Sequence, residues 1–171
     1  QDATSAVAAA SIRVEVDGTP GASNDMPGRM IFETSSDGGA TPTERMRINA
    51  LGYVGIGTTD PLFDLHIAED GAFSALAIAT HATDQTSTGN IILRKSRGTE
   101  ASPTIVVDGD YLCSVSAAGY DGNSWASAGA FRFDVDGTPG DGDMPGRFVL
   151  SLSPDGSETL AEVFRISNGG S

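Results

Sequence analysis

Apolar and polar residues alternate with a period of two along much of this chain. In Ile12–Asp17 the apolar Ile12, Val14 and Val16 alternate with Arg13, Glu15 and Asp17. In Phe131–Asp136 the same pattern returns with Phe131, Phe133 and Val135 against Arg132, Asp134 and Asp136. A period of two puts successive side chains on opposite faces and predicts half-buried β-strands. The same reading predicts strands at Arg29–Thr34, Arg45–Asn49, Leu62–Ala68, Asn90–Ser96, Thr104–Asp108, Tyr111–Ala117, Arg147–Leu152 and Val163–Ser167. Asp-Gly steps at Asp17, Asp37, Asp108, Asp121 and Asp155 separate these runs, and glycine supplies the positive φ that tight turns need. The one helix candidate is Asp70–Thr80, on its Ala-rich centre, and those residues also read as a strand. The chain is expected to be all-β.

The pattern also repeats at long range. Aligning Ser11–Ile48 with Ala130–Ile166 gives 19 identities in 37 pairs with one gap at Asn24, so the offset is 119 before the gap and 118 after it. The shared landmarks are Asp17-Gly18-Thr19-Pro20-Gly21 with Asp136–Gly140, and Asp25-Met26-Pro27-Gly28-Arg29 with Asp143–Arg147. Asp37-Gly38 matches Asp155-Gly156, Glu44 matches Glu162, and Arg47-Ile48 matches Arg165-Ile166. Weaker matches upstream pair Asp2 with Asp121 and Ser5 with Ser124. The chain thus reads as one unit over 1–119, entered part-way, and a second, incomplete unit over 120–171.

Composition narrows the function. With 23 acidic against 10 basic residues the formal net charge is −13, which argues against nucleic acid and anionic membrane as partners. The basic cluster Arg94-Lys95-Ser96-Arg97 is short and reads as a solvated strand end. A single cysteine, Cys113, rules out an intrachain disulfide and reads as a small buried side chain. No apolar run approaches a membrane span. The N-terminus has no signal-peptide pattern and no initiator Met, so the sequence is expected to be a piece of a longer chain. Short strands with one apolar face leave edges and apolar surface bare in a single chain. Three chains wrapped about a common axis would hide both.

The ordered series Asp17–Gly21, Met26–Arg29, Thr43-Glu44-Arg45-Met46-Arg47-Ile48, Val54-Gly55-Ile56-Gly57-Thr58-Thr59-Asp60-Pro61 and Leu65-His66-Ile67 resembles the repetitive shaft region of bacteriophage tail fibre proteins. Arg94–Thr99 with Ser102-Pro103 and Gly119–Gly122 is similar to such fibres as well. The Val54–Pro61 run is similar to the segment that often precedes an endosialidase-type intramolecular chaperone domain. The resemblance implies an elongated, intertwined parallel homotrimer, as a triple-stranded β-prism or β-helix or as stacked small β-domains. It implies a structural shaft of a virion tail fibre, bound to other fibre or virion proteins, holding a receptor-binding tip toward the host. No second such run follows Ile166, so chaperone chemistry is not assigned.

Candidate chemistry is weighed against scaffolding. Asp134 with Asp136, and Glu15 with Asp17, could act as glycosidase carboxylates, but a catalytic pair repeated along a shaft reads better as partners of Arg132 and Arg13. Asp136, Asp141 and Asp143, or Asp17, Asn24 and Asp25, offer oxygen ligands for calcium, but lack an EF-hand spacing and read as turn formers. His66 and His81 have no partners that complete a metal set. No catalytic residue and no cofactor is expected. Two constellations stand out. Arg29 and Arg147, after identical Met-Pro-Gly turns, are candidates for interchain salt bridges to Glu44 and Glu162 or to a repeated Asp. Tyr120 and Trp125 are candidates for stacking on a host glycan, which makes a receptor- or glycan-binding module the alternative to a shaft, with a polysaccharide-degrading tailspike segment third.

Overall fold

The computed structural model describes residues 7–71 and 73–170. The chain divides into two compact units, Gln1–His81 and Ala82–Ser171. The first holds β1 (Ala10–Val16), β2 (Gly28–Thr34), β3 (Thr43–Ile48), β4 (Val54–Ile56) and β5 (Leu65–Ile67) in one sheet of that order. All its neighbours are antiparallel except β4 and β5. The second holds a small hairpin of β6 (Arg97–Thr99) and β7 (Ser102–Thr104). Its main sheet is antiparallel, in the order β11-β10-β9-β8, from β8 (Tyr111–Tyr120), β9 (Trp125–Val135), β10 (Gly146–Leu152) and β11 (Ala161–Ile166). No helix is present among the described residues.

The two copies of the sequence form the same three-stranded meander in the same register. Ile12 faces Phe32, and Phe131 faces Leu150. Arg13 faces Ile31, and Arg132 faces Val149; Glu15 faces Arg29, and Asp134 faces Arg147. A register shift falls between Phe32 and Glu33 in one copy and between Leu150 and Ser151 in the other. These are equivalent positions, so the bulge belongs to the shared pattern. The extra Asn24 is absorbed in the β1–β2 loop, where Ser23 and Asn24 both have positive φ, 61° and 71°. Gly142, the counterpart of Ser23, has φ 71°. The upstream residues Asp2 and Ser5, matched to Asp121 and Ser124, lie outside the described residues. The sequence period and the compact units do not share a boundary: Gly119 and Tyr120, where the period turns over, both lie within β8.

Facing positions decide what each sheet buries. Ile12, Val14, Met30, Phe32, Met46, Ile48, Val54 and Ile56 line one face of the first sheet. The opposite face carries Arg13, Glu15, Arg29, Ile31 and Arg47. It is this charged face that contains the buried Ile31, whose register partners are Arg13 and Arg47. Val149 is buried in the same way between Arg132 and Arg165. Arginine stems cover apolar surface while their heads reach carboxylates. Val135 and Val106 complete the buried core of the second unit. There the 107–110 turn lies along β9: Val135 N donates to Asp110 O at 2.8 Å, and Gly109 N donates to Val135 O at 3.0 Å.

The charged face of the first sheet is roofed by the β4–β5 crossover. A side chain at Gly55 would lie 2.8 Å from Thr58 O, and one at Gly57 (φ +72°) would lie 2.1 Å from Ala68 O. Both glycines of the Val54–Gly57 run are therefore required by close backbone approach.

Four expectations are corrected. The strand at Val54–Ile56 was not among the expected runs. Asp70–Thr80 is not helical among its described residues, and Ala72 lies outside them. Asn90–Ser96 and the segment Ile105–Asp108 are not strands. Each described residue from Glu69 to Ile105 is exposed, and apart from the β6–β7 hairpin the described residues of the stretch make no backbone–backbone hydrogen bond. Its apolar residues, Phe73, Leu76, Ile78, Ile91, Ile92 and Leu93, have the composition of strands but find no neighbouring strand among the described residues.

Candidate functional site

Each meander carries a charged clamp built from its repeated residues. Arg29 Nη1 donates to Asp17 Oδ1 at 3.0 Å and its Nη2 donates to Glu15 Oε2 at 2.8 Å. In the second copy Arg147 Nη1 donates to Asp136 Oδ1 at 3.0 Å and its Nε to Asp134 Oδ2 at 3.2 Å. The other carboxylate oxygen of each aspartate accepts a backbone N–H from the turn after the third strand: Ala50 to Asp17 at 2.8 Å, Asn168 to Asp136 at 3.0 Å. One guanidinium and one aspartate thus tie the end of the first strand to the second strand and to the chain leaving the third. The planar arginine fork suits this double engagement.

The remaining charges close the network. Arg13 pairs with Glu33 at 2.9 Å and with Glu15, and Arg132 Nε donates to Asp134 Oδ1 at 2.9 Å. Asp134 is wholly buried between Arg132 and Arg147. Arg132 also lies over the ring of Tyr111, 4.3 Å from its centroid, a cation–π contact. Glu44 and Glu162, expected to meet Arg29 and Arg147, are held within the chain by different arginines. Arg47 Nε donates to Glu44 Oε1 at 2.5 Å and Arg165 Nε to Glu162 Oε1 at 2.8 Å. Arg47 Nη1 reaches on to Thr59 O at 2.6 Å and so anchors the crossover. The signal that could have found these partners was present: Arg13, Arg47 and Asp17 are identical in both copies, as are Glu44 and Arg29. Strand register, which alternation does not give, decides which of them meet.

These contacts set protonation. The Ala50 N–H and then Arg29 hold Asp17 below its ordinary 3.8, and the Asn168 N–H and then Arg147 do the same for Asp136. Arg13, with Ser11, lowers Glu33 below 4.5, and Arg165 lowers Glu162. Acids with depressed folded-state values add stability above their unfolded values and lose it as pH falls through the folded ones. Thermal melts should therefore be flat from neutral pH down to about pH 5 and decline below it. In the double variant Asp17→Asn, Asp136→Asn, the acid decline should shrink, together with a lower melting temperature at neutral pH.

The other candidates are placed as follows. Gly140 and Asp143 form an isolated bridge in the loop that also holds Asp141. Among the described residues no cluster of three or more His, Cys, Asp or Glu is arranged to hold a metal ion. The His66 ring lies edge-on to Phe63, with centroids 6.0 Å apart, and His81 is exposed. Cys113 is half-buried opposite Phe133. Lys95 and Arg97 converge on Asp110, at 3.1 Å and 2.7 Å, so one carboxylate engages two cations of the basic run. Tyr120 and Trp125 face each other across the β8–β9 hairpin with centroids 5.8 Å apart.

Away from the clamps, the surface is dominated by the apolar face of each sheet. In the second, Phe148 meets Phe131, Phe133 and Phe164 at centroid distances of 5.9, 5.5 and 6.4 Å. Phe131, Phe133, Phe164, Ile166 and Val115 nevertheless remain exposed. In the first, Val14 is 74% exposed and Ile12 67%. Two meanders with saturated charged faces and bare apolar faces, linked by an unpaired apolar segment, are the arrangement to be matched.

Solved structures share this fold. The chain has the fold of a bacteriophage tail fibre domain. It superposes on the carboxy-terminal domain of the bacteriophage T5 L-shaped tail fibre with a TM-score of 0.78 and 16% identity, over 95% of this chain and 71% of that one. It superposes equally on that domain with its intra-molecular chaperone domain, at a TM-score of 0.79 and 16% identity, over 95% of this chain and 49% of the longer one. No family model matches the sequence. No curated protein matches it either. The tail fibre fold agrees with the resemblance read from the sequence motifs, and the all-β expectation holds with it.

Proposed function

We propose that this chain is a structural segment of a phage tail fibre shaft that assembles as a parallel homotrimer and holds a receptor-binding end away from the virion. The observation that carries this reading is the inversion of its sheets: charged faces are satisfied within the chain, while the apolar faces are left on the surface. Exposed apolar surface of this extent marks an association site. The unpaired stretch around Phe73–Ile78 and Ile91–Leu93 supports it, because extended backbone without hydrogen-bond partners is completed by strands of another chain. A threefold arrangement supplies partner strands and a common apolar axis together. The fold shared with the T5 fibre domain is consistent with such a role, and other fibre or virion proteins are the expected neighbours.

The carboxylates are assigned to scaffolding and the segment is read as non-enzymatic, because Asp134 and Asp136 are each engaged by arginine. Native mass spectrometry with light scattering tests the assembly. A mass of three chains is expected, and a folded monomer at micromolar concentration overturns the proposal. Trypsin gives a second readout. The site at Arg94, just after Ile91–Leu93, should resist cleavage in the trimer and be cut rapidly if the segment is bare in solution.

A further inference from the structure

The third strands of the two meanders are equivalent, but only one of them is covered. β3 carries β4 along its outer edge, with Met46, Arg47 and Ile48 facing Ile56, Gly55 and Val54. Its counterpart β11 pairs with β10 alone and is an edge of its sheet. Burial differs accordingly. Glu44, Met46, Arg47 and Ile48 are half-buried, whereas every residue of β11 is exposed. The Arg47–Glu44 pair is 12% and 18% exposed, and the identical Arg165–Glu162 pair 43% and 36%.

The bare edge keeps the groups that the covered one uses. Asn49 N donates to Tyr53 O at 3.0 Å, and Gly57 N donates to Arg45 O at 3.0 Å. The counterparts of Asn49 and Arg45 are Ser167 and Val163, on an edge with no strand beside it among the described residues. Arg47 holds Glu44 with Nε and Nη2, which leaves Nη1 to donate to Thr59 O in the crossover at 2.6 Å. Arg165 holds Glu162 with the same two nitrogens, at 2.8 and 2.7 Å, and its Nη1 has no partner among the described residues. The shared bulge does not bar a fourth strand, since β3 carries it and still pairs with β4. Val163, Phe164 and Ile166 are exposed apolar residues, with Val163 in the place of Arg45. A bare apolar edge is a template for another strand.

We propose that the outer edge of β11 docks one strand of a neighbouring fibre polypeptide, of the pattern apolar-Gly-apolar-Gly. The strand adds antiparallel, with its first glycine opposite Arg165 and its apolar residues opposite Ile166 and Phe164. The crossover that follows it turns a carbonyl to Arg165 Nη1. Main-chain hydrogen bonds give such strand addition its affinity, and side-chain fit its specificity. Glycine is required because a side chain at the equivalent Gly55 would lie 2.8 Å from Thr58 O of its own crossover. The chain's own Val54-Gly55-Ile56-Gly57 run is already paired with β3 and anchored by Arg47. That the partner is a fibre protein rests on the shaft reading, whereas the edge and its strand pattern rest on the repeat.

The probe is a synthetic peptide of residues 53–68, added to the full chain as it assembles in solution. Calorimetry should show saturable binding. Amide exchange should slow across residues 161–167 and stay unchanged across residues 43–49. A peptide carrying Gly55→Val should bind about tenfold or more weakly. Arg165→Lys keeps a stem over Val149 but loses the fork, and should weaken the unaltered peptide about tenfold, as loss of a charge-assisted hydrogen bond requires. No binding, protection on another edge, or equal affinity for the Gly55→Val peptide would each overturn the proposal. A larger assembly that dissociates when peptide is added would assign the edge to a second copy of this chain and overturn the separate partner. A monomer that binds the peptide along residues 161–167 would sink the trimeric shaft and leave this site standing.

Discussion

Phe133→Asp is expected to abolish assembly of the proposed trimer. Phe133 sits at the centre of the apolar face of β9, between Cys113 on β8 and Phe148 on β10, its ring 5.5 Å from that of Phe148. It is 45% exposed in the single chain, so its remaining surface is available to a neighbour. Burying a phenylalanine contributes roughly 1.5–3 kcal/mol, and threefold symmetry counts the site three times. Aspartate would lose that and bring three carboxylates toward one seam. Native mass spectrometry should show only monomer or aggregate. A trimer with unchanged melting temperature would mean that the apolar face does not pack between chains. Cys113→Ser, half-buried on the same face, serves as a milder control.

Arg147→Ala should be the most destabilising change on the charged face. Asp134 has no exposed surface and is held by Arg132 and Arg147 together. Removing one arginine leaves a buried carboxylate half-compensated and frees Asp136 from β10. Breaking a buried pair in this way costs about 3 kcal/mol, which in a unit of this size lowers the melting temperature by on the order of 10 °C or more. Arg147→Lys should rescue only part of this, because an ammonium cannot span two carboxylates as a guanidinium does. Glu162→Gln loosens a pair whose members are 43% and 36% exposed and leaves the Arg165 stem over Val149, so it should lower the melting temperature far less. Equal losses for Arg147→Ala and Glu162→Gln in thermal melts would refute the clamp.

Alternation alone determined a great deal. Ile12–Val16 and Phe131–Val135 could satisfy a period of two only as strands, and the Asp-Gly steps marked where the chain must turn. The internal repeat determined more, because identical turn residues at a constant offset impose the same hairpin geometry twice, down to the bulge after Phe32 and Leu150. What the sequence could not determine was which charges meet. Repetition left Arg29 with Glu44 or a repeated Asp as partner, and register sets Arg29 opposite Glu15, beside the repeated Asp17, and gives Glu44 to Arg47. Partner choice depends on cross-strand distance, which a linear pattern does not contain. The tertiary structure also decided that Asn90–Ser96 is not a strand in the single chain. Its residues have the composition for one, but a strand exists only where another supplies its hydrogen bonds. The sheets were inverted for a related reason. Local alternation defines two faces per strand, and only the placement of the crossover over Gly55, of the 107–110 turn beside Val135, and of the arginine stems over Ile31 and Val149 decides which face the chain covers itself.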